Sequence, residues 1–214
     1  MGCITLRPRD LMPNNGKRMT TFILIRHGLT DAVGKQITGR LPGVHLNEIG
    51  RKQAEELPQR LARWKIAALY SSPLERAMET ARPTAAHLRL EIQQSPALSE
   101  VDFGDWSGHT LDDLNQRQEW RMYNTFRSAT RAPHGELMLE VQARMVDELM
   151  RLAAGHPDEI IACFTHADAI RAALVHFLGM PLDLIHRFEV RPASLNVVRL
   201  MEWGPQVILL NCMA

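Results

Sequence analysis

Short apolar runs alternate with helical stripes from residue 20 onward. Residues 21–25 form a β-branched, aromatic and apolar run that stops at Arg26-His27-Gly28, which predicts a buried strand ending in a loop. After a loop carrying Gly34, Gly39 and Gly43, the residues Leu46, Ile49, Gln53, Leu57 and Leu61 recur at helical spacing. Asn47 is the expected N-cap, and Pro58 is expected to break or kink that helix. Residues 66–70 predict a second strand, and Ser71-Ser72-Pro73 opens a helix with Ser72 as N-cap and Pro83 as an interruption. Residues 91–98 suit an edge strand, and residues 110–126 predict one or two helices lying over a site. Met138, Val141, Met145, Leu149 and Leu152 mark one stripe of a long amphipathic helix. Residues 159–164 predict a strand ending at Thr165-His166, with a helix after it. Residues 195–201 and 207–211 read as a hairpin around Trp203-Gly204-Pro205.

This alternation implies an α/β fold, a three-layer α/β/α sandwich on a mostly parallel sheet, because βαβ crossovers set helices on both faces. Residues 1–19 read as a loosely ordered tail and residues 20–214 as a single domain. The charge of +1 over 214 residues supplies no field for nucleic acid or an anionic membrane, and no apolar run approaches the roughly 20 residues of a membrane span. Three cysteines, too few for a disulfide framework, suggest a reducing, cytoplasmic setting.

In open α/β sheets ligands sit beyond the carboxyl ends of the strands, where both Arg26-His27 and His166 fall. A guanidinium, an imidazole and the Gly28 backbone N–H meeting at one turn suit a phosphate. An imidazole kept neutral by nearby arginines can attack phosphorus, giving a phosphohistidine. His45, His87, His109, His134, His156, His176 and His186 show no metal-ligand spacing and are assigned no chemistry.

Arg26-His27-Gly28 is followed in order by four further stretches: Leu46-Asn47-Glu48-Ile49-Gly50; Ser71-Ser72-Pro73-Leu74-Glu75-Arg76-Ala77; Glu100 with Gly104, Trp106 and Gly108; and Thr165-His166 with Ile170-Arg171. Together they resemble the histidine phosphatase superfamily, the phosphoglycerate mutase-like proteins, over roughly residues 21–200. Residues 38–46 and 102–108 are most similar to a phosphatase or phosphomutase branch.

The resemblance implies the phosphoglycerate mutase-like fold, with His27 as nucleophile, Arg26 and Arg76 as phosphate clamps, and His166 as a further phosphate donor. Glu100 would be the proton donor and acceptor, its pKa raised towards neutrality by desolvation. With His166 protonated, the site would gather about three positive charges, enough to stabilise a phosphoryl group with no metal or other cofactor. Leu29 and Val33 depart from the usual pattern, as does Ala167-Asp168. With Val33 removing one donor, Thr30, Thr38 and the Gly39 N–H take its place, and Ala167 still offers its N–H. Glu136, in Pro133-His134-Gly135-Glu136, is assigned a structural role or one behind the site.

The expected activity is metal-independent hydrolysis of a small phosphorylated metabolite through phosphohistidine, with no nucleic-acid or membrane partner. Mutase-type phosphoryl transfer and a non-catalytic phosphate-binding module are the alternatives. The short segment 111–133 favours hydrolysis, and the C-terminal hairpin offers an edge for a homodimer.

Overall fold

Strand β1 (Met19–Arg26) sends alternate side chains to opposite faces, and both faces are dry: Phe22, Ile23, Leu24 and Ile25 are all fully buried. The computed structural model describes residues 19–213. Of the expected tail, residues 1–18 lie outside the described residues, and Met19 already belongs to β1. The remaining elements are α1 (Glu48–Leu61), β2 (Ile66–Ser71), α2 (Glu75–Leu88), β3 (Ile92–Gln94), α3 (Leu111–Asn115) and α4 (Gln118–Thr125). After them come α5 (Met138–Gly155), β4 (Ile160–Thr165), α6 (Ala167–Phe177), β5 (Leu195–Met201) and β6 (Gly204–Cys212).

The six strands run in the order β3-β2-β4-β1-β5-β6. The first four are parallel, and β5 and β6 close the other edge antiparallel. Phe22, Leu24, Ile161 and Cys163 pack on one face against Met145 and Leu149 of α5 and Ile170 and Leu174 of α6. Ile23, Ile25, Ala162 and Phe164 pack on the other against Leu57 and Leu61 of α1 and Ala81 of α2. That is the three-layer sandwich. A third cluster, with Phe103, Trp106, Trp120 and Tyr123, seats the 101–123 segment on Val141 and Ala172.

Several local expectations change. Asn47 caps α1 as expected, its Oδ1 accepting from Gly50 N at 2.9 Å. Pro58 and Pro83, however, lie inside helices that continue past them. Each removes one backbone donor, and burial of Leu57, Leu61 and Ala81 beside them holds the helices together. Leu74, not Ser72, is the N-cap of α2, and the Ser72 hydroxyl just before it accepts from Leu74 N at 3.3 Å while lying 2.8 Å from His166 Nε2. The edge strand β3 keeps three residues before the chain turns at Pro96, and β6 starts earlier than expected, at Gly204.

Candidate active site

Sheet register assembles the centre of the site. The parallel pairing of β1 with β4 sets Arg26 opposite Thr165, so the next residues, His27 and His166, leave the sheet side by side. His27 N donates to Thr165 O at 2.9 Å, and the two imidazole centroids lie 5.2 Å apart. On the other side of β4, Ser71 pairs with Phe164, which brings the Ser72 hydroxyl to 2.8 Å from His166 Nε2.

His27 is buried, with Nδ1 2.7 Å from Gly28 O. A carbonyl can only accept, so Nδ1 carries the proton and Nε2 keeps its lone pair. Burial, then Arg76 and Arg26, push the His27 pKa well below the usual histidine value. His166 is pushed down in the same way by burial, Arg76 and His27, so it is neutral in the free protein. With no anion in the site, full burial and the neighbouring guanidiniums favour the uncharged imidazole. Its Nδ1 is buried with no hydrogen-bond partner among the described residues.

Arg76 is 1% exposed, and one of its nitrogens donates to Gly39 O at 2.7 Å. Its Nε and Nη1 have no partner among the described residues. Arg26 donates to Val190 O at 2.7 Å and leaves Nε unpartnered. Burial lowers both pKa values, against the pull of Glu100. Unpaired charged donors are costly to bury, and a dianion would satisfy them.

The two arginines line a cavity of about 160 Å³, together with His27, Thr30, Thr38, Gly39, Glu100 and Ala167. Two of the expected residues are placed otherwise. His166 stands against His27 rather than in the cavity wall. Gly28 is withdrawn from the phosphate-binding set, because its N–H donates to Thr80 Oγ1 at 2.9 Å. Its lack of a side chain serves packing instead: a Cβ there would come within 2.6 Å of Gly50 O in α1.

Glu100 is partly buried on the loop after Leu98, and its Oε1 accepts from Val101 N at 3.1 Å and Ala169 N at 3.2 Å. Burial and Asp168 raise its pKa, and the Val101 N–H, Arg76 and Arg26 oppose them. Its backbone carbonyl is gripped twice, by Arg40 Nε at 2.9 Å and Arg144 at 3.0 Å. Both arginines also bind the Glu136 carboxylate, at 2.7 and 3.0 Å respectively. Asp168 lines the cavity too, and it accepts from Arg127 at 2.8 Å and Arg171 at 2.9 Å. Sequence reasoning missed Ser72, Arg40, Arg144 and Asp168. The contacts that bring them into the site, with His166, the Glu100 carbonyl and Arg127, come from distant parts of the chain. Among the described residues no group of three or more His, Cys, Asp or Glu is arranged to hold a metal ion.

The profile of the histidine phosphatase superfamily (branch 1) matches residues 22–213. The chain is 29% identical over 202 residues to phosphoserine phosphatase 1 of Hydrogenobacter thermophilus, covering 90% of this chain and 92% of that one. It is 32% identical over 191 residues to a Yersinia pestis protein named as a probable phosphoglycerate mutase, covering 86% of each. The native structure of a mycobacterial glucosyl-3-phosphoglycerate phosphatase superposes with a TM-score of 0.81 at 26% identity, over 91% of this chain and all of that one.

Proposed function

Because the chain belongs to the histidine phosphatase superfamily (branch 1), and is a phosphomonoesterase of small phosphorylated metabolites, we propose that hydrolysis runs through a phosphoryl group carried on His27 Nε2. Nε2 attacks phosphorus, the N–P bond forms and the bridging P–O bond breaks. An alkoxide leaves poorly, so the Glu100 carboxyl group delivers a proton to the departing oxygen. Its raised pKa supports that role, since a share of the group is protonated where an ordinary carboxyl is not.

The Glu100 carboxylate then takes a proton from water, whose oxygen attacks phosphorus. The P–N bond breaks, inorganic phosphate leaves and neutral His27 is restored. Arg26 and Arg76 bind the non-bridging oxygens with the donors they leave unpaired. Ser72 donates its hydroxyl proton to His166 Nε2, which puts the other ring proton on Nδ1 and keeps an uncharged imidazole beside His27. Thr30, Thr38, Gly39 and Ala167 complete the phosphoryl cradle from the walls.

One observation carries this reading: a buried imidazole with a fixed tautomer, beside two guanidiniums that have no ion-paired carboxylate among the described residues. Rapid-quench mass spectrometry during turnover should find an acid-labile phosphoryl adduct on the peptide containing His27. His27→Ala should abolish both adduct and turnover, and EDTA should change neither in the wild type. An adduct elsewhere, or His27→Ala turnover within about ten-fold of wild type, refutes the reading.

A further inference from the structure

We propose that the leaving-group end of the cavity selects uncharged, largely apolar alcohols, so that phosphomonoesters bearing a carboxylate are disfavoured; this rests on the phosphatase reading above. Beyond the residues that meet the phosphoryl group, the larger apolar side chains of the lining are Val33, Ile37, Phe103 and Leu111, and the neutral polar side chain among them, Gln36, donates its amide to Gly108 O. Two loops build it and are zipped together: Ile37 N donates to His109 O at 3.0 Å, and Leu111 N to Lys35 O at 2.8 Å. The apolar side chains are therefore held on a shared backbone frame rather than on separate mobile segments.

Charge in the lining is distributed unevenly. Its cations, Arg26 and Arg76, flank His27, and its other ionisable residues, Glu100 and Asp168, are acids. Arg127 and Arg171 stand behind Asp168 and are already committed to it, at 2.8 and 2.9 Å. Arg127 is further fixed by Asn124 Oδ1 at 2.7 Å and by the Tyr123 ring, whose centroid lies 4.8 Å from its guanidinium carbon. Lys35 is exposed and lines an adjoining outer cleft that also holds Asp31. A carboxylate on the leaving group would lose water against the apolar side chains, face two acids, and find in the lining, among the described residues, no cation beyond the two that meet the phosphoryl group.

The decisive comparison is 3-phosphoglycerate with its methyl ester, which share a leaving oxygen and differ in one negative charge. With p-nitrophenyl phosphate as the reference, wild-type kcat/KM for the ester should exceed that for the acid by about ten-fold or more. Val33→Lys, which places a cation on the wall, should shrink that ratio to within about three-fold, and Val33→Ile should leave it unchanged. Turnover of p-nitrophenyl phosphate with the acid matching or beating the ester overturns the selectivity and leaves the phosphatase reading standing. A ratio that Val33→Lys does not move removes the wall as its cause. Failure to turn over p-nitrophenyl phosphate at all sinks the phosphatase reading and this inference with it.

Discussion

Arg76 and Arg127 are both almost completely buried, at 1% and 3% exposure, yet their surroundings act in opposite directions. Burial pulls the Arg127 pKa down, but Asp168, Tyr123 and Glu100 together outweigh it and raise the guanidinium pKa. Arg76 has a backbone carbonyl and two unpaired nitrogens, and burial lowers its pKa. One arginine is neutralised inside the protein and belongs to the structure. The other is only partly offset, by the pull of Glu100 and Glu75, and keeps donors that a bound anion would satisfy. The same fold thus keeps binding free energy in reserve at one buried cation and consumes it at another.

Replacing Arg76 tests the first half of that contrast most severely. Arg76→Met should lower kcat/KM by about a thousand-fold, roughly 4 kcal/mol of transition-state stabilisation. Urea denaturation should place its stability within about 1 kcal/mol of wild type, since only the bond to Gly39 O is lost. Because Arg76 is a leading cause of the low His27 pKa, the acid limb of the pH profile should move to higher pH in the variant. A large loss of stability would make Arg76 a structural residue like Arg127 and break the contrast.

The second half predicts the reverse pattern. Arg127→Met leaves Asp168 buried with Arg171 as its remaining ion-pair partner, so unfolding free energy should fall by about 3 kcal/mol. Turnover of p-nitrophenyl phosphate should fall by less than about ten-fold, because Arg127 does not line the cavity. A stable Arg127→Met protein with abolished turnover would exchange the roles of the two arginines.

The same distinction explains what the sequence could reveal. The strands were legible because runs such as residues 21–25 are apolar on both faces, and a parallel sheet covered on both sides produces that pattern. Arg26, His27 and Arg76 were legible because they sit at element ends beside recognisable motifs. Arg127 was not, since its meaning depends on Asp168, a residue 41 positions away on α6. The downward push on the His166 pKa was hidden for a related reason: the type of residue is visible in the chain, but its depth and its neighbours are not. Gly28 shows a third kind of limit, because a glycine needed for close approach to Gly50 looks the same as one needed for an exposed N–H.

Glu136 sharpens the contrast at smaller amplitude, because its carboxylate holds two arginines that both grip the Glu100 carbonyl. Burial would raise its pKa, but Arg144, the Asp102 N–H and Arg40 outweigh that and keep it ionised. Glu136→Gln should loosen Arg40 and Arg144 and let the Glu100 loop shift, lowering kcat/KM for a neutral alkyl phosphate by about ten-fold. A p-nitrophenolate leaves without a proton, so its release should change by less than about two-fold.

The pH dependence should separate the two substrates in the same way. The raised Glu100 pKa means that the acid form is present below it and is lost as pH rises through it, so the alkyl phosphate should show an alkaline fall that p-nitrophenyl phosphate lacks. In a Glu100→Gln background the Glu136 substitution should have little further effect, because the group it positions can no longer donate a proton. Equal losses on both substrates, or full additivity with Glu100→Gln, would reduce Glu136 to general structural support.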